Sequence, residues 1–368
     1  KVIAFDIQFD SPDARSEYLR SVTGNLPPEF QQYLPGHGDI ILAEAIQRAQ
    51  ENGTKVVMDV KMVREPTRIP PNYIAYPVPE IMEVNPETGL INDMLDIDGF
   101  SRQYSIAGYM PHDPDVAYLT LGVKCVKAFL DISDDAVLSF DGENLNWEFG
   151  PLRMRSYGRT NNFLVNYYGP PSGYKIPGRA DTRPWGTFPR YSFSQVLDTQ
   201  DYDLPEDTDW MSNFLPGKIP DWVLAIENEA ERNEMVVMMG SGSEFDITQS
   251  PFYNKIVILG VSVEVLHDVK STPFYNYMDL SQLTPGMETH ANAIQTILHN
   301  NYINVFGGKT TRYMIEDAPY PMANIILIFS LCLFAYILLM KVELHPINAG
   351  IIIFSEGVLY YAFAMGMF

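Results

Sequence analysis

The apolar positions at the start of the chain fall first in a dense run and then on one face of a helix. KVIAFDIQF is rich in Ile, Val and Phe and reads as a buried strand. GDIILAEAIQRAQENG follows, with apolar residues at Ile40, Ile41, Ala45, Ile46 and Ala49, a helical stripe closed by Gly53. TKVVMDVKM then returns as a strand. Strand, helix and strand with short stops between them form a βαβ unit, whose strands pair in parallel through a right-handed crossover. Further along, DVAYLTLGVKCVKAF reads as a second helix, EMVVMMG and NKIVILGVSV as later buried strands, and HANAIQTILHNN as a last helix. The Pro- and Tyr-rich stretch 167–190 reads as irregular loop. The expected class is α/β: a mixed or parallel sheet with helices on both faces and long inserts, and no internal repeat.

The pattern changes near the C-terminus. ANIILIFSLCLFAYILLM, Ala323 to Met340, carries no charge, and with its flanks it approaches the roughly 20 residues a helix needs to cross hydrocarbon. After KVELHP, the run INAGIIIFSEGVLYYAFAMGMF is again long enough. Two transmembrane helices, about 322–341 and 347–368, are therefore expected as a hairpin behind a polar domain 1–318, with 319–368 as the membrane part. A charged residue in hydrocarbon is costly, so Glu356 in the second run is a candidate functional residue in the membrane, as a proton-pathway group or as a carboxyl bonded to a neighbouring helix. Lys341 is offset by Glu343, and Lys309 and Arg312 by Glu316 and Asp317, so charge does not set the orientation.

Composition adds two exclusions. The formal net charge of -21 argues against a phosphate-tracking surface, so nucleic acid is not an expected partner. Cys125 lies in the polar part and Cys332 in an apolar run, so no disulfide framework is expected. The acidic insert 198–235 contains DYDLPEDTDWMS, which lacks the glycine of a calcium loop and reads as a solvated loop.

One stretch invites a functional reading. The run Lys255 to Val263 reads as a strand covered on both faces, and it leads into a loop carrying His267, Asp268, Thr272 and Pro273. In open α/β sheets ligands gather beyond the carboxyl ends of the strands. The residues leave two readings open. In one, Asp268 braces the loop, Pro273 fixes its exit, and His290 and Asn292 satisfy backbone groups near the start of the last helix. In the other, Asp6, His267, Asp268, Thr272, His290 and Asn292 form the pocket of a small ligand. His267, Asp268, Asp6 and His290 contain metal-ligating types, but no spacing of the HExxH or CxxC kind supports a metal, and none is assigned. MVVMMGSGSEF places Ser241 and Ser243 outside the G-x-S-x-G pattern of a nucleophile elbow and lacks a dinucleotide or phosphate-loop spacing. No catalytic residue and no cofactor is expected.

Several blocks together resemble the type 2 CHASE domain, an extracellular sensory module of bacterial membrane receptors. They are KVIAFDIQFD, LDIDGFSR (95–102), NFLVNYYGPP (162–171) with FPRYSFSQVL (188–197), NKIVILGVSVEVLHDVKSTPF (254–274) and PGMETHANAIQTILHNNYI (285–303). The resemblance implies an inner-membrane protein with its large domain on the periplasmic side, preceded by a missing N-terminal part and followed by a cyclase or kinase output domain. The expected partners are the lipid bilayer, further copies or other membrane subunits, and a small extracellular ligand. A second expectation is a docking subunit that reuses the sensor fold in a larger membrane complex, which the acidic insert and the loop tyrosines favour.

Overall fold

The computed structural model describes residues 1–23, 36–92, 95–172, 187–196, 250–262, 268–277, 281–303 and 322–340, with scattered positions in 226–235 and 345–358. In chain order the elements are β1 (Val2–Asp6), α1 (Ala14–Thr23), α2 (Gly38–Glu51), β2 (Lys55–Arg64), β3 (Asn72–Ala75), α3 (Pro79–Met82) and β4 (Glu87–Leu90). Then come β5 (Gln103–Ser105), β6 (Ala107–Met110), β7 (Asp113–Leu119), α4 (Leu121–Phe129), β8 (Leu138–Asp141), β9 (Asn146–Phe149), β10 (Leu152–Arg155) and β11 (Asn162–Leu164). The last are α5 (Phe193–Val196), β12 (Ile256–Gly260), β13 (Val269–Lys270), β14 (Thr284–Pro285), α6 (Gly286–His299) and α7 (Met322–Met340). The chain divides into two compact units, one of residues 1–141, 146–156 and 160–302, the other of 142–145, 157–159 and 303–368.

The first unit is built on a mixed sheet. β12, β1, β2 and β4 run parallel in that order, and β3 pairs antiparallel with the far half of β2. The expected βαβ unit is present as β1, α2 and β2, with Gly53 at φ +80° just beyond the helix end. Side chains alternate across a strand, so each strand feeds two cores. Val2, Ala4 and Val57 pack with Val123, Cys125 and Val126 of α4 and with Ala293, Ile294 and Ile297 of α6. Val56 and Met58 pack on the other face with Ile46 of α2 and Ile81 of α3. Helices therefore cover both faces, and residues 56–60 of β2 are buried without interruption, the signature of a central parallel strand.

Three readings need correction. DVAYLTLGVKCVKAF is not one helix: Asp113–Leu119 is a strand paired with β6, and the helix begins at Leu121. The break is Thr120, whose N–H donates to Ile106 O at 3.1 Å and whose hydroxyl donates to Ser105 O at 2.8 Å, fixing it as extended backbone. β12 is half-buried throughout rather than covered on both faces, because among the described strands it pairs only with β1. Of EMVVMMG, Glu234 and Met235 are helical, and the rest lies outside the described residues. So do Ser241 and Ser243, most of the insert 198–235, and the charged residues Lys309, Arg312, Glu316, Asp317, Lys341 and Glu343.

In the second unit α7 is a 19-residue helix. Among the residues described side chain and all, no helix is long and apolar enough to cross a membrane. The described residues between 347 and 358 are helical, and Glu356 lies outside them.

Candidate functional site

β1 and β2 carry their acidic residues toward the same end of the sheet and the same face. Val2, Ala4 and Asp6 share the face of β1 turned to α4 and α6, and Val57 and Asp59 share that of β2. Ala4 lies beside Val57 at the end of the β1–β2 ladder, and two residues further on Asp6 and Asp59 follow on the same face of these adjacent strands. On its other side Asp59 is in register with Gly89 of β4. Gly89 is required by the packing: a Cβ there would stand 2.6 Å from Leu121 Cα, so its absence lets the start of α4 lie against the sheet.

Both carboxyl groups are deeply buried, Asp6 at 9% and Asp59 at 2% exposure. Oδ1 of Asp6 stands 3.7 Å from Nε2 of His290, the fifth residue of α6, itself 3% exposed. The other ring nitrogen, Nδ1, is 2.7 Å from the Tyr104 hydroxyl, and that oxygen accepts the Gly122 N–H at the start of α4, 2.8 Å away. The two rings meet edge to face, with centroids 5.5 Å apart. A Tyr104 O–H that donates to Nδ1 leaves Nε2 protonated and directed at Asp6, so the protons of the chain Gly122, Tyr104, His290 and Asp6 fit together.

Asp59 is different. Neither of its oxygens has a hydrogen-bond partner among the described residues. Burial first, and then the negative charge of Asp6, push its carboxyl up from the usual range to about 7. Thr289 beside His290 also has its hydroxyl buried without a partner among those residues. Cys125 of α4 faces the same core, and burial, aided by Asp6, raises its thiol far above the range in which a thiolate forms, which makes it inert.

A second polar row runs along α6 at helical spacing. Glu288 accepts the Ser172 N–H with both carboxylate oxygens, at 3.1 and 2.9 Å. Asn292 accepts the Tyr168 N–H through Oδ1 at 3.1 Å and donates through Nδ2 to Glu288 O at 2.7 Å. Thr296 accepts the Asn166 N–H at 3.1 Å. Residues four apart stack on one helix face, so these three side chains hold the irregular stretch 166–172 by its backbone. Burial raises the Glu288 carboxyl despite the Ser172 N–H.

Of the residues singled out from sequence, Asp6 and His290 come together. Asn292 stands on the same helix but serves the 166–172 stretch. Thr272 shares a buried hydroxyl pair with Thr284 at 3.0 Å, joining the ends of the β13–β14 hairpin. Asp268 accepts the Gly286 N–H on its carbonyl at 2.9 Å, and its carboxylate lies over Gly286 and 3.6 Å from Lys270 Nζ, at the entry to α6. His267 lies outside the described residues. Asp59, Tyr104 and Glu288 join them without belonging to that set. Asp59 had a legible signal, a lone acid inside the apolar run VVMDV, whereas Tyr104 and Glu288 gain their roles only from contacts distant in sequence.

The family model of the CHASE2 domain matches residues 1–337. The chain belongs to the CHASE2 domain family. CHASE2 domains are extracellular sensory domains of membrane receptors, so the resemblance carried by the sequence blocks is borne out. No curated protein and no solved structure matches the chain. In this CHASE2 domain the paired blocks KVIAFDIQFD and PGMETHANAIQTILHNNYI meet through Asp6 and His290. Among the described residues no three His, Cys, Asp or Glu side chains are grouped to hold a metal ion.

Proposed function

We propose that this CHASE2 chain is the periplasmic sensory part of a bacterial inner-membrane receptor. Residues 1–318 face outward, spans at about 322–341 and 347–368 cross the bilayer, and the signal passes through them to an output domain. The family match carries this reading, and it runs on into α7. At about 1.5 Å per residue α7 is roughly 28 Å long, close to the thickness of the hydrocarbon core. Its Ile326, Phe329, Leu333, Phe334 and Ile337 side chains are exposed in the isolated chain, apolar surface that a bilayer would cover.

The signal is received at the carboxyl end of β1 and the middle of β2, near Asp6, Asp59 and His290. α6 is the last described element before the chain continues toward α7, and it carries His290. A change at the carboxylates that favours one setting of α6 over another shifts a two-state equilibrium of the receptor.

Labelling in spheroplasts tests the orientation. Val137 is 77% exposed, and Cys125 is buried. A Val137→Cys chain, with Cys332→Ser, is expected to react with a membrane-impermeant maleimide in intact spheroplasts. Reaction only after lysis overturns the reading.

A further inference from the structure

Asp6 and Asp59 are both buried on adjacent parallel strands, two positions beyond the paired Ala4 and Val57, on the face of the sheet where Val2, Ala4 and Val57 pack against Val123 and Ile294 of the helices. Placing two carboxylates there is costly while both are charged, and the cost falls when one takes up a proton. Asp59 is the member held without a hydrogen-bond partner among the described residues, so its charged form receives no compensation from a donor. We infer that the ligand of this site is the hydrogen ion, bound at the Asp6–Asp59 pair and read by His290, so that the domain is a sensor of pH outside the membrane. This rests on the sensory reading proposed above.

Among the described residues, further charged and titratable groups surround the pair. Asp10, beyond β1, adds to the repulsion, and Lys61, further along β2, relieves it. α4 contributes the Cys125 thiol, and its Lys124 and Lys127 are engaged by Glu87. α6 contributes His290, backed by Tyr104, while α2 and α3 pack on the other face of the sheet. With the proton bound, Asp59 is neutral and can donate to Asp6, whose remaining charge faces His290 Nε2. Loss of the proton adds a second negative charge on the neighbouring strand. The strands are fixed by their ladders, so the relief open to the site is displacement of His290 and of α6, on which it stands.

The test is hydrogen exchange of 286–299 in the full-length chain in lipid nanodiscs, from about pH 5 to about pH 9, corrected for intrinsic exchange. The wild type is expected to show an exchange transition in α6 with a midpoint near 7. Asp59→Asn should hold the low-pH pattern throughout. Asp6→Asn removes the repulsion and should move the midpoint down. Absence of a transition in the wild type, or the same transition in Asp59→Asn, overturns the proposal. So does a transition produced at fixed pH by sodium or calcium ions, which would make a cation the ligand. The orientation test is independent: outward labelling with no transition removes the proton and leaves the receptor reading standing.

Discussion

Asp6 Oδ1 and His290 Nε2 stand 3.7 Å apart in the interior, joining β1 to α6 across 284 residues of sequence. His290 also holds the Tyr104 hydroxyl, so its removal takes one contact from each of two buried polar groups. His290→Ala is expected to destabilise the domain by roughly 2–4 kcal/mol, through the cavity left by a buried ring and the loss of its hydrogen bond to Tyr104. Thermal or urea unfolding of the full chain in detergent checks this. A loss below about 0.5 kcal/mol, the level of an ordinary surface substitution, contradicts it.

The pH dependence of stability follows from Asp59. Its carboxyl is raised from 3.8 to about 7, so the folded state holds a proton that the unfolded chain releases. The contribution is fully present below about 3.8, declines as pH rises, and is lost above about 7. It amounts to at most roughly 4 kcal/mol. Asp59→Asn should therefore flatten this part of the profile and leave the protein more stable than wild type above neutrality. Paired melting curves across that window give the answer, and a variant less stable than wild type at pH 8 contradicts the assignment.

Gly89→Ala places a methyl group 2.6 Å from Leu121 Cα, a backbone atom that cannot turn aside. Overpacking of this kind is expected to cost about 1–3 kcal/mol. The position of α4 on the sheet also sets Gly122, and hence the Tyr104 hydrogen bond, so Gly89→Ala should loosen His290 as well. Faster exchange in both α4 and α6 is the expected signature, and a change confined to β4 would contradict it.

Glu288→Ala removes both acceptors of the Ser172 N–H while leaving Asn292 and Thr296 in place. The expected effect is local: faster proteolysis and hydrogen exchange near 170–172, with 166–168 still protected. Equal loss across 166–172 would show that the three side chains act as one unit rather than as separate ties.

The sequence made the parallel core legible because its βαβ unit repeats two strong local periods, the dense run of β1 and the stripe of α2. It concealed the β7–α4 boundary, since Val116, Tyr118 and Leu119 continue directly into the apolar face of α4. Only Thr120, through bonds to Ser105 and Ile106, separates them. Asp6 and His290 were legible as polar residues at a strand end and a helix start. Asp59 interrupts an apolar run, but its significance lies in a neighbour on another strand. Thr272, Asp268 and Asn292 were legible as polar positions, but the structure gives each a bracing partner of its own.

In the proposed receptor the state of the Asp6–His290 site governs the helix that follows the domain. Cys332 is exposed in α7 and offers a native position for a nitroxide probe. The most direct measurement compares the spin-label spectrum at Cys332 in wild-type and His290→Gln full-length chains reconstituted in nanodiscs, with α6 exchange measured on the same samples. The account predicts that both α6 exchange and the Cys332 spectrum change together. Altered exchange in α6 with an unchanged spectrum at Cys332 would contradict it.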